Sequence, residues 1–128
     1  MEIGRLNQIS GEIVDAAIKV HSTLGPGLLE SAYEACIVYE LRKRGLEVQV
    51  QVPFPVTYET VKLEVGYRLD LLVEGCVIVE LKACESIAPI HPVQLLSYMK
   101  LCKKPLGLLL NFHVPLMKDG IVRMRNGY

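Results

Sequence analysis

Neither sign of charge prevails in this chain: Lys plus Arg and Asp plus Glu number 14 each over 128 residues. No overall basic field is available for a polyanion, so any such partner must be met by a local patch. Cys36, Cys76, Cys84 and Cys102 contain no CxxC pair, and no secretory segment precedes them. They read as reduced core residues of a cytoplasmic protein. His21, His91 and His113 fall into no ligand spacing with them, which argues against zinc. No apolar run reaches the roughly 20 residues needed to span a bilayer, so no membrane partner is expected. Low-complexity tracts and internal repeats are missing too. What remains is a chain of 51% hydrophobic residues, long enough for one well-buried core and too short for two ordinary domains, so a single domain over 1–128 is expected.

Hydrophobic periodicity orders the elements. Leu6, Ile9, Ile13, Ala16 or Ala17, Val20 and Leu24 recur at helical spacing, and Gly25-Pro26-Gly27 stops that helix. A second helix is predicted from about Leu28 to Arg44, with Leu29, Tyr33, Cys36, Ile37 and Leu41 on one side and Gly45 as its cap. In Glu47 to Val56, apolar residues alternate with glutamines and prolines. Pro53 and Pro55 cannot donate ladder hydrogen bonds, which places that strand near a sheet edge. Strands follow at Tyr58 to Val65, Tyr67 to Val73 and Val77 to Ala83. A helix from about Pro92 to Lys103, a strand Leu106 to Phe112 and a terminal hairpin around Lys118-Asp119-Gly120 complete an α/β arrangement with a mixed sheet.

Three charges stand out within this pattern. Asp70 interrupts one apolar strand, and Glu80 and Lys82 interrupt the next. Strands so apolar read as buried on both faces, where an unpaired ionised group costs several kcal/mol, roughly, unless it is paired or holds a metal. Alternation puts Ile78, Glu80 and Lys82 on one face and Val77, Val79 and Leu81 on the other. A two-residue turn at Glu74-Gly75 would pair Asp70 with Val79 and point the acids to opposite faces. A three-residue loop Val73-Glu74-Gly75, with Gly75 in the left-handed region, brings them together. A shared metal site therefore requires an odd register.

Other polar groups are candidates for the same site. Gln94 and Tyr98 are one helical turn apart, and Glu30 opens the second helix, where an acid is also favoured by the helix dipole alone. Basic clusters occur at Arg42-Lys43-Arg44, at Lys100 with Lys103-Lys104, and at Arg123 with Arg125. The middle group shares its helix with Gln94 and Tyr98 and offers phosphates a path to the acids.

Gly27-Leu28-Leu29-Glu30-Ser31-Ala32-Tyr33 resembles the motif of the GxxExxY proteins. Asp70 followed by Glu80-Leu81-Lys82 resembles the core of the PD-(D/E)XK nuclease superfamily, and Gln94-Leu95-Leu96-Ser97-Tyr98 is similar to the QxxxY helix of its RecB-like branch. The resemblance runs from about Ile13 to Arg123. It implies a restriction-endonuclease-like core, a central mixed β-sheet flanked by helices, in a single nuclease-like domain. It further implies that Asp70 and Glu80 bind Mg²⁺ (or Mn²⁺), that Glu30 supports the metal and that Lys82 assists the nucleophilic water. Tyr33, Gln94 and Tyr98, with Lys100, Lys103 and Lys104, are then expected to meet the substrate. Leu69 departs from the proline of the superfamily's name. The expected partner is nucleic acid, DNA being favoured, with a homodimer joining two patches through the edge strand. A binding module on the same fold and a phosphodiesterase for small nucleotides are the competing readings; neutral net charge favours them, and the intact acidic pair opposes the first.

Overall fold

The computed structural model describes residues 2–127. Its order is α1 (Ile3–Leu24), α2 (Glu30–Lys43), β1 (Val48–Tyr58), β2 (Val61–Val73), β3 (Val77–Lys82), α3 (Ile90–Leu101), β4 (Leu106–Asn111), a short 3-10 turn (Met117–Gly120) and β5 (Ile121–Arg125). The five strands form one sheet in the order β1-β2-β3-β4-β5. Only the β3 and β4 pair is parallel, so the sheet is mixed as expected.

Each face of the sheet is covered. Leu6, Ile9, Ile13, Ala16, Ala17 and Val20 of α1 and Tyr33, Ile37 and Leu41 of α2 pack on Leu71, Val73, Val77, Val79, Leu81, Leu106, Leu108 and Leu110. On the other face, Leu95 and Met99 of α3 pack with Phe54, Leu69, Leu72, Ile78 and Leu109. Gly107 lets α3 lie this close to β4: a Cβ there would stand 2.7 Å from Met99 Sδ and 2.9 Å from a Leu95 methyl. Two residues expected on helical stripes are not there. Leu24 ends α1 half in water, and Leu29 is 78% exposed because it is the residue before the first turn of α2 rather than part of it.

β1 is an edge strand, as its prolines require. Tyr58 to Val65 does not form a strand of its own. It takes in the last residue of β1, the turn at Glu59 and Thr60, and the start of a long β2 that pairs back with β1. The register slips between Phe54↔Tyr67 and Val56↔Leu63, where Pro55 faces a bulge around Gly66 (φ 82°). Beyond this bulge both strands leave the core, and the 61–68 stretch of β2 is exposed on both faces. The expected terminal hairpin is also different: β5 does pair antiparallel with β4, but a loop and the 3-10 turn separate them. A Cβ at Gly120 of that turn would collide with the Asn111 carbonyl oxygen. Cys76 is buried, Cys36, Cys84 and Cys102 are half-buried, and none of the four is in a disulfide. No helix among the described residues is long and apolar enough to cross a membrane.

Candidate active site

The hairpin between β2 and β3 carries the acids. Its pairing runs Val73↔Val77, Leu72↔Ile78 and Leu71↔Val79, which sets Asp70 opposite Glu80. The odd register is therefore present, but the loop is Glu74-Gly75-Cys76 and not the expected Val73-Glu74-Gly75. Both Glu74 (φ 52°) and Gly75 (φ 65°) are left-handed, and Cys76 N–H closes the turn on Val73 O at 3.1 Å. Glu74 tolerates this conformation because its carboxylate is fastened twice, by Arg5 at 3.0 Å and by Glu47 N–H at 2.7 Å.

Past Leu71 and Val79 the two strands part, and side chains take over from the ladder. Leu81 N–H donates to Asp70 Oδ2 at 2.8 Å, and Asp70 N–H donates to Glu80 Oε1 at 3.2 Å. The inside-outside alternation of β2 also breaks here, with Leu71 and Val73 under α1 and α2 while Leu69 lies under α3. Asp70 sits at the changeover. Its carboxylate thus enters the gap between the strands instead of standing on one face, and simple parity could not describe it. Across β1, Gln51 takes up φ 51°, a strained conformation for a non-glycine residue. Its amide donates to Glu34 at 3.1 Å and, at 3.4 Å, toward Asp70.

A pocket of about 210 Å³ opens over this gap, lined by Glu30, Arg68, Asp70, Glu80, Lys82, His91, Gln94, Leu95, Tyr98 and Leu109. Six of the expected residues meet in it: Glu30, Asp70, Glu80, Lys82, Gln94 and Tyr98. Gln94 donates to the Tyr98 hydroxyl at 2.7 Å, so the turn of α3 presents them as a unit. Lys82 is held by the end of β3. Phe112 N–H donates to its carbonyl at 2.9 Å, and the buried Asn111 side chain ties both the N–H and the carbonyl of Cys84. Larger hollows exist, including one of about 570 Å³ beside Gly25 and Pro115, but it is mainly apolar and carries no acid.

Electrostatics mark the same place. Glu80 is only 9% exposed, and its carboxyl is pushed up to about 9, first by burial and then by the charge of Asp70 and a hydrogen bond shared with it. Glu30 is raised by burial and by Asp70, with Lys82 opposing. Glu34 is raised by burial, against the hydrogen bond from Gln51. Acids crowded until one must keep its proton are common at functional sites. Among the described residues no three His, Cys, Asp or Glu side chains come close enough to hold an ion by themselves. The donor set still fits one: oxygen ligands only, with no nitrogen or sulfur, one of them a buried carboxyl that a cation would relieve of its proton, is the set that hard divalent ions take.

Four expected substrate contacts are placed differently. Tyr33 is fully buried, stacked on Phe112 with centroids 4.5 Å apart. Its hydroxyl donates to Gly25 O at 2.6 Å and accepts from Leu28 N–H at 3.1 Å, so it braces the turn between α1 and α2 and cannot meet a substrate. Lys100, Lys103 and Lys104 do not line the pocket. α3 enters at the acids and runs away from them, and Lys104 lies near Cys76, before the start of β3. At ~3.3 Å per residue, the length of β3 separates that end from Lys82. Arg68 and His91 line the pocket instead. His91 Nδ1 accepts from Ala88 N–H at 3.2 Å, which leaves its proton on Nε2.

A sheet opened by an acid pair, followed by a lysine one alternation later, can be compared with known proteins. The model of the PD-(D/E)XK nuclease superfamily matches residues 7–124. The chain belongs to that superfamily. No curated protein and no solved structure matches it significantly. The five-stranded mixed sheet between three helices is accordingly a restriction-endonuclease-like fold. Nucleases of this superfamily generally use divalent metals, in keeping with the oxygen-only donor set. In this member Leu69 replaces the proline, and it is a fully packed core residue with no polar role to lose.

Proposed function

We propose that this chain hydrolyses phosphodiester bonds in DNA with Mg²⁺ or Mn²⁺ held by Asp70, Glu80 and the Leu81 carbonyl, in one domain spanning 1–128. The observation that carries the reading is the pair Asp70 and Glu80, interlocked through each other's strand and joined by Lys82 in one pocket. The cation supplies Lewis acidity to the scissile phosphate. Lys82 donates hydrogen bonds to the attacking water and fixes its line of approach. As water attacks phosphorus it gives up a proton to the surrounding solvent, the bond to the leaving oxygen breaks with its electron pair going to that oxygen, which takes a proton from solvent in turn, and negative charge grows on the phosphoryl oxygens; Arg68 and the His91 Nε2–H, both lining the pocket, would stabilise that charge. Glu30 supports the cation from the start of α2, and Gln94 with Tyr98 borders the nucleotide.

The same reading covers the finer assignments. The Gly27 to Tyr33 motif supports membership of the GxxExxY group, Gln94 and Tyr98 support the RecB-like branch, and four cysteines outside any disulfide support a cytoplasmic setting. The exposed apolar residues of the β1-β2 arm, Tyr58, Val61, Leu63 and Val65, support a homodimer. A phosphodiesterase acting on small nucleotides is the second reading, favoured by the distance of the lysine group from the pocket.

Titration calorimetry with Mn²⁺ tests the site. Wild type is expected to bind the ion, and Asp70→Asn to weaken it at least about tenfold, by analogy with losses on removing metal-site groups. The same variant should lose cleavage in a screen of DNA and RNA forms. Equal affinities would remove the site.

A further inference from the structure

The pocket of the acids does not end at α3. Gln94 and Tyr98 also border a second hollow of about 440 Å³, whose lining includes Tyr67, Ile90, Val93 and Leu101 and no charged residue. These four side chains are 43%, 62%, 57% and 43% exposed. Large apolar groups left in water beside a phosphate-cleaving centre mark a binding surface. A phosphate would find no cation here. A nucleobase offers what the hollow accepts, a planar ring with apolar faces and a polar edge.

The aromatic groups are preorganised for it. Buried Phe54, outside the lining of the hollow, backs two of its rings: it is stacked with Tyr67 at 5.7 Å between centroids and 17° between planes, and set edge-on to Tyr98 at 5.1 Å. Tyr67 and Tyr98 lie 5.9 Å apart and tilted. The ring of Tyr67 is thus steadied from two sides while a large part of it remains open. Ser97 and Gln94 supply hydrogen-bonding groups at the rim.

We propose that this hollow is a nucleobase subsite, in which an unpaired base next to the phosphate at Asp70 and Glu80 stacks on Tyr67. The proposal rests on the nuclease reading and narrows its substrate: a paired base is held in its duplex, so the preferred target has single-stranded, frayed or branched character.

Fluorescence anisotropy in EDTA tests it, using a short labelled DNA single strand and an abasic strand of equal length. Wild type is expected to bind the normal strand more tightly. Tyr67→Ala should weaken that binding roughly 5- to 150-fold, the range expected for loss of one stacked base, and abolish the preference over the abasic strand, while Tyr67→Phe retains both. Val93→Glu, on an exposed position, should act like Tyr67→Ala without relying on the same ring. Equal binding of the two strands by wild type, unchanged binding by Tyr67→Ala, or no single-strand binding at all overturns the subsite. Cleavage assayed with Mn²⁺ separates the two readings. If cleavage depends on Asp70 but not on Tyr67, the nuclease stands and the subsite falls. If base-dependent binding occurs without any cleavage, the subsite stands and the nuclease reading falls.

Discussion

A carboxyl placed as Glu80 is, buried and against a second acid, works against folding once it ionises. Its folded-state value of about 9 lies above the ordinary 4.5, so the folded chain holds this proton more tightly than the unfolded chain does. The resulting stabilisation is complete below pH 4.5 and drains away as pH rises toward about 9. In EDTA, the unfolding free energy of wild type, measured by chemical denaturation at each pH, should therefore fall across that window, and Glu80→Gln should flatten the fall and exceed wild type at its upper end by about 1–3 kcal/mol. Mn²⁺ should restore wild type alone, with apparent affinity rising with pH because the ion displaces the proton. A wild-type profile flat over the whole window would contradict this account. Asp70, Glu80 and Lys82 were legible in the sequence for the same physical reason, since each is a charge in an apolar strand. Glu34, Gln51, Arg68 and His91 were not, because polar residues in half-exposed segments look the same whether they face a site or open water. The one signal available was Glu34 four residues after Glu30, a like-charged pair on one helix face that calls for a reason. Tyr33 misled in the opposite direction: its place in a motif suggested substrate, whereas its hydroxyl closes a turn.

Between β2 and β3 the odd register that strand parity requires is present, supplied by the loop Glu74-Gly75-Cys76 and not by Val73-Glu74-Gly75. Gly75 announced its left-handed conformation; Glu74 did not, because only contacts with Arg5 and Glu47, distant in sequence, hold it there. Since nothing lies within 4 Å of a Cβ built at Gly75, Gly75→Val should cost only the backbone strain, about 1–2 kcal/mol by chemical denaturation. A cost near zero would mean that the turn has another conformation. α3 gives a sharper test, because its position depends on what β4 lacks. Gly107→Val would drive a branched side chain into Met99 and Leu95, and overpacking of this kind costs about 1–3 kcal/mol. The helix must then shift, carrying Gln94 and Tyr98 with it, while Asp70 and Glu80 stay on their own strands. Cleavage should fall with Mn²⁺ affinity unchanged; a variant that loses both equally would show that α3 and the acids are not separable.

Over the whole molecule, the layers were readable because period and burial agree: helical stripes for α1, prolines at an edge for β1, an apolar run broken only by Glu80 and Lys82 for β3 and a nearly unbroken one for β4. The projecting arm was legible as strand at Tyr58 to Val65 but not as an arm, since the alternation Val61-Lys62-Leu63-Glu64-Val65 implies one buried face whereas 61–68 is exposed on both. Charge is the other property of the whole molecule, and here geometry revises an expectation. With 14 charges of each sign, any steep dependence of nucleic-acid binding on salt would have to come from a local cluster. Lys104 lies toward the far end of β3 and neither Lys100 nor Lys103 lines the pocket, so the cations there reduce to Arg68 and Lys82. Each phosphate neutralised lowers the slope of log K against log salt by roughly 0.9 on duplex DNA and 0.7 on single strands, so the slope should be shallow, about −2. Arg68→Ala should flatten it by about 1, whereas replacing Lys100, Lys103 and Lys104 together with alanine should leave both the slope and the cleavage of short strands unchanged. If the triple variant flattens the slope by several units instead, phosphates run along α3 past the lysines, and long DNA is the substrate after all.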